Sequence, residues 1–258
     1  MFRIPVYSIL LFTCALALAT VHGSNPLLLR WITREDGPVE WATVAALLAL
    51  AVLVGRRMLA PPTALPRFHR VVAWGLVVLA VLAAGEEISW GQRIFGFETG
   101  ETMQAINYQH ETNLHNLMPG ELFNGLIVFA LGIGFVLVPL IWRSRSQRPP
   151  LWLPTPVVSV LMLDAILINH YRFRSAPEQV GIVVLLLLLL WQTVASLREK
   201  SAPRVADCIA GWVTAGTLYH SRAVLRAANH QYEIRELLIV VLAAVWAQQT
   251  LSAYSDAK

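Results

Sequence analysis

Eight apolar stretches separated by short polar links organise this chain: 5–22, 41–58, 71–90, 122–142, 153–171, 178–197, 205–221 and 234–253. Each approaches the roughly 20 mostly apolar residues that a helix needs to cross the hydrocarbon of a bilayer. The pattern predicts an all-α, polytopic transmembrane helical bundle of about 8 spans, with residues 1–258 as a single transmembrane domain. The most apolar run is 180–191, which holds six consecutive leucines. The most diluted is 205–221, interrupted by Asp207, Thr214, Thr217 and Tyr219. Residues 4–21 read either as a first span or as the core of a signal peptide ending near Val21-His22-Gly23. Their length exceeds the roughly 7–15 residues usual for a signal peptide, which favours retention. Cleavage would leave 7 spans.

Composition agrees with that pattern. Of 258 residues, 56 % are hydrophobic and 14 % charged, with mean hydropathy +0.57. Soluble domains run at about 45–50 % apolar and about 25 % charged. A disordered chain is excluded, and a soluble enzyme is disfavoured. Cys14 and Cys208 sit in or beside apolar runs, form no CxxC pair and read as small buried hydrophobes.

The net charge of +4 separates along the chain. With the N-terminus inside and spans alternating, the inner side collects twelve of the twenty basic residues, among them Arg56, Arg57, Arg67, Arg70, Arg143, Arg145 and Arg198. Short basic loops on one side follow the positive-inside rule, so no nucleic-acid partner is expected. The rule implies that both termini are cytoplasmic. Twelve of sixteen acids and six of seven histidines fall on the outer side; His69 is the inner histidine and Asp164 lies within a span. Any chemistry therefore belongs to the outer face.

Residues 91–120 form an outer polar segment, within which 102–117 is long enough for a short non-spanning helix before Pro119-Gly120. On such a helix Asn107, Glu111 and His115 would share one face by their spacing of four. Glu86 and Glu87 close the third span, and a continued helix would put Glu86, Trp90 and Arg93 together, with Arg93 as partner for Glu86. Carboxylates at a helix C-terminus oppose the helix dipole and call for a cation, a metal or water. Glu86, Glu87, Glu111 and His115 are therefore candidate catalytic residues. Glu86, Glu111 and His115 are the candidate ligands for a divalent metal, although neither the Glu-x-x-His nor the HExxH spacing is present. Candidate substrate-binding residues are Arg93, Asn107, Asp164, His170, Arg172 and His220. An acid as deep in a span as Asp164 costs roughly 2.5–3.5 kcal/mol, so it reads as functional or paired. The competing arrangement is a set of Glu–Arg pairs that ties the outer helix ends together.

The segments Glu86-Glu87-Ile88-Ser89-Trp90-Gly91-Gln92-Arg93 and 107–116, with Arg34-Glu35-Asp36-Gly37 and Glu40-Trp41, resemble a group of uncharacterised multi-pass bacterial membrane proteins. That likeness covers about the first half of the chain, implies a bacterial inner membrane and implies no activity. A more distant likeness is to the seven-span membrane hydrolases that include alkaline ceramidases and adiponectin-receptor relatives. Those hold zinc with three histidines. Their late His-x-x-x-His is absent here, because Val224 follows His220 by four and Ile234 follows His230 by four. Three functional classes remain open. One is an outer-face enzyme acting on a membrane lipid or lipid-linked substrate. Another is a non-catalytic scaffold or assembly component that binds other envelope proteins. The third is a small-solute or proton-coupled transporter.

Overall fold

The computed structural model describes residues 26–60, 65–145, 150–167, 176–200, 205, 208–209, 211–213, 215–217, 219–220 and 231–256. Among them there are helices and turns and no strand. In chain order the helices are α1 (Pro26–Thr33), α2 (Pro38–Leu59), α3 (Arg67–Glu87), α4 (Gln92–Phe95), α5 (Glu101–Ile106), α6 (Gly120–Leu131), α7 (Val138–Arg145), α8 (Pro156–Leu167), α9 (Ala176–Arg198) and α10 (Gln231–Asp256). Five stretches are long and apolar enough to cross a membrane: Pro38–Leu59, Arg67–Glu87, Leu122–Arg143, Gln179–Arg198 and Tyr232–Tyr254. Pro156–Leu167 is a shorter apolar helix. The predicted stretch 5–22 lies outside the described residues, and 205–221 is described only in part.

α6 and α7 form one rod through a π-helical turn, Gly132–Leu137. Gly132 and Gly134 weaken the α ladder there, and Pro139 offers it no N–H, so the turn widens locally.

α10 is the common wall of two apolar clusters. On one side its Leu238, Leu242 and Val245 meet α8 (Val158, Met162, Ile166) and α9 (Leu185, Leu189). On the other its Ala247 and Leu251 meet α2 (Leu47, Leu50, Val54) and α3 (Ala80, Ala84). Trp246 packs against both. Tail-facing groups gain little hydrophobic energy in a bilayer, so close van der Waals packing of this kind is what holds helices together there.

Polar contacts mark the two ends of the bundle. At one end Tyr254 Oη lies 3.1 Å from His69 Nε2, and Trp246 Nε1 donates to the Trp152 carbonyl at 2.7 Å. Arg56 and Arg57 in the last turn of α2, and Arg67 and Arg70 in the first turn of α3, belong to this basic end. At the other end α1, the start of α2, the end of α3 and residues 88–119 build a polar cap.

Candidate functional site

The cap begins where α3 stops. Ser89 (φ 47°), Trp90 (φ 56°) and Gly91 (φ 87°) are all left-handed, which costs roughly 1–2 kcal/mol for each residue with a side chain. The turn is held by its own surroundings: Trp90 Nε1 donates to Glu86 Oε1 at 2.6 Å, and its ring lies over Gly85. A Cβ at Gly85 would stand 2.9 Å from that ring. By ending α3 at Glu87, the turn sends Arg93 away from Glu86. The expected Glu86–Arg93 pair is therefore not formed.

Arg93 instead joins three carboxylates from two other segments. Its Nη2 donates to both Glu111 oxygens, at 2.9 and 3.0 Å, and Nε reaches Oε1 at 3.3 Å. Nη1 donates to Glu40 Oε1 at 2.5 Å and to Asp36 Oδ1 at 3.1 Å. Burial works against its charge, yet Glu40, Glu111 and Asp36 hold the guanidinium well above the ordinary arginine value. Glu40 also suits its own helix end, where an acid in the first turn meets the positive end of the dipole. Its second oxygen accepts the Asp36 backbone N–H at 2.7 Å. That bond forms because Gly37 turns the chain tightly: a Cβ there would lie 2.5 Å from the Arg34 carbonyl oxygen.

The predicted helix over 102–117 is a shorter helix, a loop and a 3₁₀ turn. α5 ends at Ile106, Asn107 is extended (φ −86°, ψ 129°), and only His115–Leu117 turns again. The reason lies in asparagine chemistry, since short amide side chains offer the backbone partners that compete with the helical ladder. Asn107 Oδ1 accepts the N–H groups of Gln109 (2.9 Å) and Glu111 (3.3 Å), and Nδ2 donates to the Asn113 carbonyl at 2.8 Å. Asn107, Glu111 and His115 therefore do not share a helical face. Asn113 Nδ2 and Ser89 Oγ both donate to Glu111 Oε2, at 2.9 and 2.7 Å. Ser89, Asn107 and Asn113 are all buried and all bonded. Gln92 ties the same loop from outside, accepting from Thr112 N–H at 2.8 Å and donating to Thr99 at 2.6 Å.

Glu86 performs a different task. Its Oε2 accepts the backbone N–H groups of Leu114 (2.6 Å) and His115 (2.9 Å) and lies 3.4 Å from His115 Nδ1. Glu86 and His115 thus meet, while Glu111 faces Arg93. Among the described residues no group of three His, Cys, Asp or Glu side chains is arranged to hold a metal ion. The expected Glu86–Glu111–His115 ligand set does not form in this arrangement.

The remaining candidates lie elsewhere. Asp164 is buried in α8 between Leu163 and Ala165. His220 is exposed, and among the described residues no hydrogen bond joins it to the cap. His170 and Arg172 lie outside the described residues. Glu87 faces the start of α10, where Glu233, Arg235 and Glu236 stand. Arg235 is buried, donates to Asn124 and to Glu236 (3.4 Å) and lies 5.1 Å from the Tyr232 ring centre. Among the described residues, Glu87 and Glu233 form no hydrogen bond or ion pair.

Sequence reasoning left Asp36, Glu40, Ser89, Gln92 and Asn113 out of the candidate set. The resemblance over 34–41 was the available signal for the first two. No family model, curated protein or solved structure matches this chain. Among the described residues, fold and site together define an all-helical protein with five helices apolar enough to cross a membrane and an internally bonded polar cap.

Proposed function

We propose that this chain is a non-catalytic component of a membrane assembly, seated in a bacterial inner membrane with both termini cytoplasmic, whose cap docks an envelope partner. One observation carries the reading: the cap's functional groups bond to one another. Both oxygens of Glu86 and both of Glu111 are engaged by protein donors. A general acid, base or metal ligand needs an atom turned toward substrate. The same segment instead exposes Phe95 (80 %), Tyr108 (67 %), Leu114 (60 %) and Ile106 (56 %). Aromatic and aliphatic side chains on a rigid, polar-rimmed support are the usual makings of a protein interface. The excess of arginine at the opposite end supports the orientation.

The test places a photo-crosslinking residue at Phe95 and at Tyr108 in the full chain in its native membrane. One protein partner in fixed ratio at both positions is expected, lost in Arg93→Met. Crosslinks to lipid alone, with monodisperse purified chain, would overturn the reading.

A second reading, an enzyme acting on a lipid or lipid-linked substrate, is favoured by Glu87 and Glu233, half-buried carboxylates that no described residue bonds. Mass spectrometry of lipids in vesicles containing the purified chain tests it. Turnover abolished by Glu87→Gln would establish it, and an unchanged lipid profile would remove it.

A further inference from the structure

At the basic end a groove of about 440 Å³, including its open side, runs between α2, α3 and α10. Val72, Ala73 and Leu76 of α3 form one wall, and Trp246, Ala247 and Leu251 of α10 the other. From His69 to Leu76 the slot extends about 10 Å along α3 at 1.5 Å per residue. Its lining is apolar apart from Thr250 and, at one end, His69, which faces Tyr254. His69 Nδ1 is buried and bonds to no described group.

The mouth beside His69 is strongly cationic. Arg67 and Arg70, either side of His69 in the first turn of α3, are exposed, and Arg56 and Arg57 stand in the last turn of α2 at the same end of the bundle. Between residues 41 and 85 there is no acid, while α10 ends on Asp256. The first turn of α3 has no side-chain cap, so its N–H groups add to the positive field. A cationic mouth opening onto an apolar slot matches an amphiphile with a negative head and a hydrocarbon tail. Basic pockets between membrane helices at the positive end are suited to such head groups.

We propose that this groove binds one phospholipid with an anionic head group, its phosphate at Arg67, Arg70 and His69 and part of an acyl chain along Val72 and Leu76. Phosphate geometry suits guanidinium forks. The proposal is independent of what the cap docks, because the groove lies at the opposite end of the bundle.

Native mass spectrometry of the full chain, delipidated and exchanged into detergent with equal phosphatidylglycerol and phosphatidylcholine, reads the binding. One retained phosphatidylglycerol per chain is expected, with at least a tenfold preference over phosphatidylcholine. The double variant Arg67→Gln/Arg70→Gln alters only exposed side chains and is expected to lose that preference with unchanged helical circular dichroism. Ala73→Trp fills the slot and is expected to lose the lipid altogether. Equal retention of the two lipids, or a preference that survives Arg67→Gln/Arg70→Gln, would overturn the proposal. So would displacement of the retained lipid by soluble glycerol phosphate at equal concentration, which would reduce the site to one for the head-group anion.

Discussion

Arg93 is where three segments of the cap meet, and its loss leaves two mostly buried carboxylates facing one another. The side chains of Glu40 and Glu111 are 8 % and 22 % exposed. Removing one partner of a buried ion pair costs about 3–5 kcal/mol, because the other charge stays desolvated. Arg93→Met is therefore expected to lower stability in detergent by about 3 kcal/mol. Arg93→Lys should recover only part of this, since an ammonium cannot grip both oxygens of Glu111 in parallel. Thermal denaturation of both variants measures the difference. The pH dependence has a definite sign. A base with a raised native value contributes fully below its unfolded value and loses that contribution only above it, in strong alkali for arginine. Wild-type stability from Arg93 is thus constant between pH 6 and pH 9, and a fall traceable to Arg93→Met that appears only at alkaline pH would contradict it. Gly37→Ala is expected to be disruptive, because its Cβ would meet backbone oxygens at 2.5 and 2.8 Å. Gly75→Ala, with nothing within 4 Å, should stabilise α3 by about 0.5–1 kcal/mol, a contrast read in the same melting experiment.

At the scale of elements, the loop 107–114 is ordered by two asparagines. Asn107→Ala deletes the acceptor for two backbone N–H groups and the donor to Asn113. Leaving buried groups unsatisfied costs about 1–3 kcal/mol each, so the loop should open while the apolar helices stay intact. Limited proteolysis, with new cleavage between 107 and 114 and unchanged helical circular dichroism, checks this. The contrast also explains what the sequence made visible. Apolar length is written plainly along the chain, because a bilayer requires a continuous run, so α2, α3, α9 and α10 fell within a few residues of their expected ends. The cap carries no such period. Three left-handed residues at 89–91 and two asparagines binding nearby backbone replace a helix that spacing alone had suggested. The composition pointed to the outer end as the polar face, and the alternative of Glu–Arg pairing describes Arg93, although with Glu111, Glu40 and Asp36 in place of Glu86.

For the whole molecule, α10 is the part on which both halves depend. Its Trp246 touches the α8–α9 cluster through Phe135 and the α2–α3 cluster, and its indole N–H reaches Trp152. Trp246→Ala is expected to cost about 3–5 kcal/mol and to broaden the unfolding transition, because the two clusters would melt separately. A single sharp transition at nearly the wild-type temperature would show that α10 is not their common wall. No periodicity in the sequence announced this role, since packing between spans distant in the chain is set by shape and not by hydropathy.

The pairing of Glu40 with Arg93 joins residues that lie 53 positions apart, one at the start of α2 and one just past the end of α3. During synthesis these two sites leave the ribosome at different times and must be delivered to the same side of the bilayer. If either helix inserted upside down, a full hydrocarbon thickness would separate the two charges. Glu111 follows Arg93 by 18 residues on the same side of α3 and grips it whichever way α2 runs. A chain with one of the two helices reversed would therefore lose the Glu40–Arg93 pair and keep Arg93–Glu111, whose two residues both follow α3, so the single bond from α2 is the part of the cap that depends on how the helices are threaded.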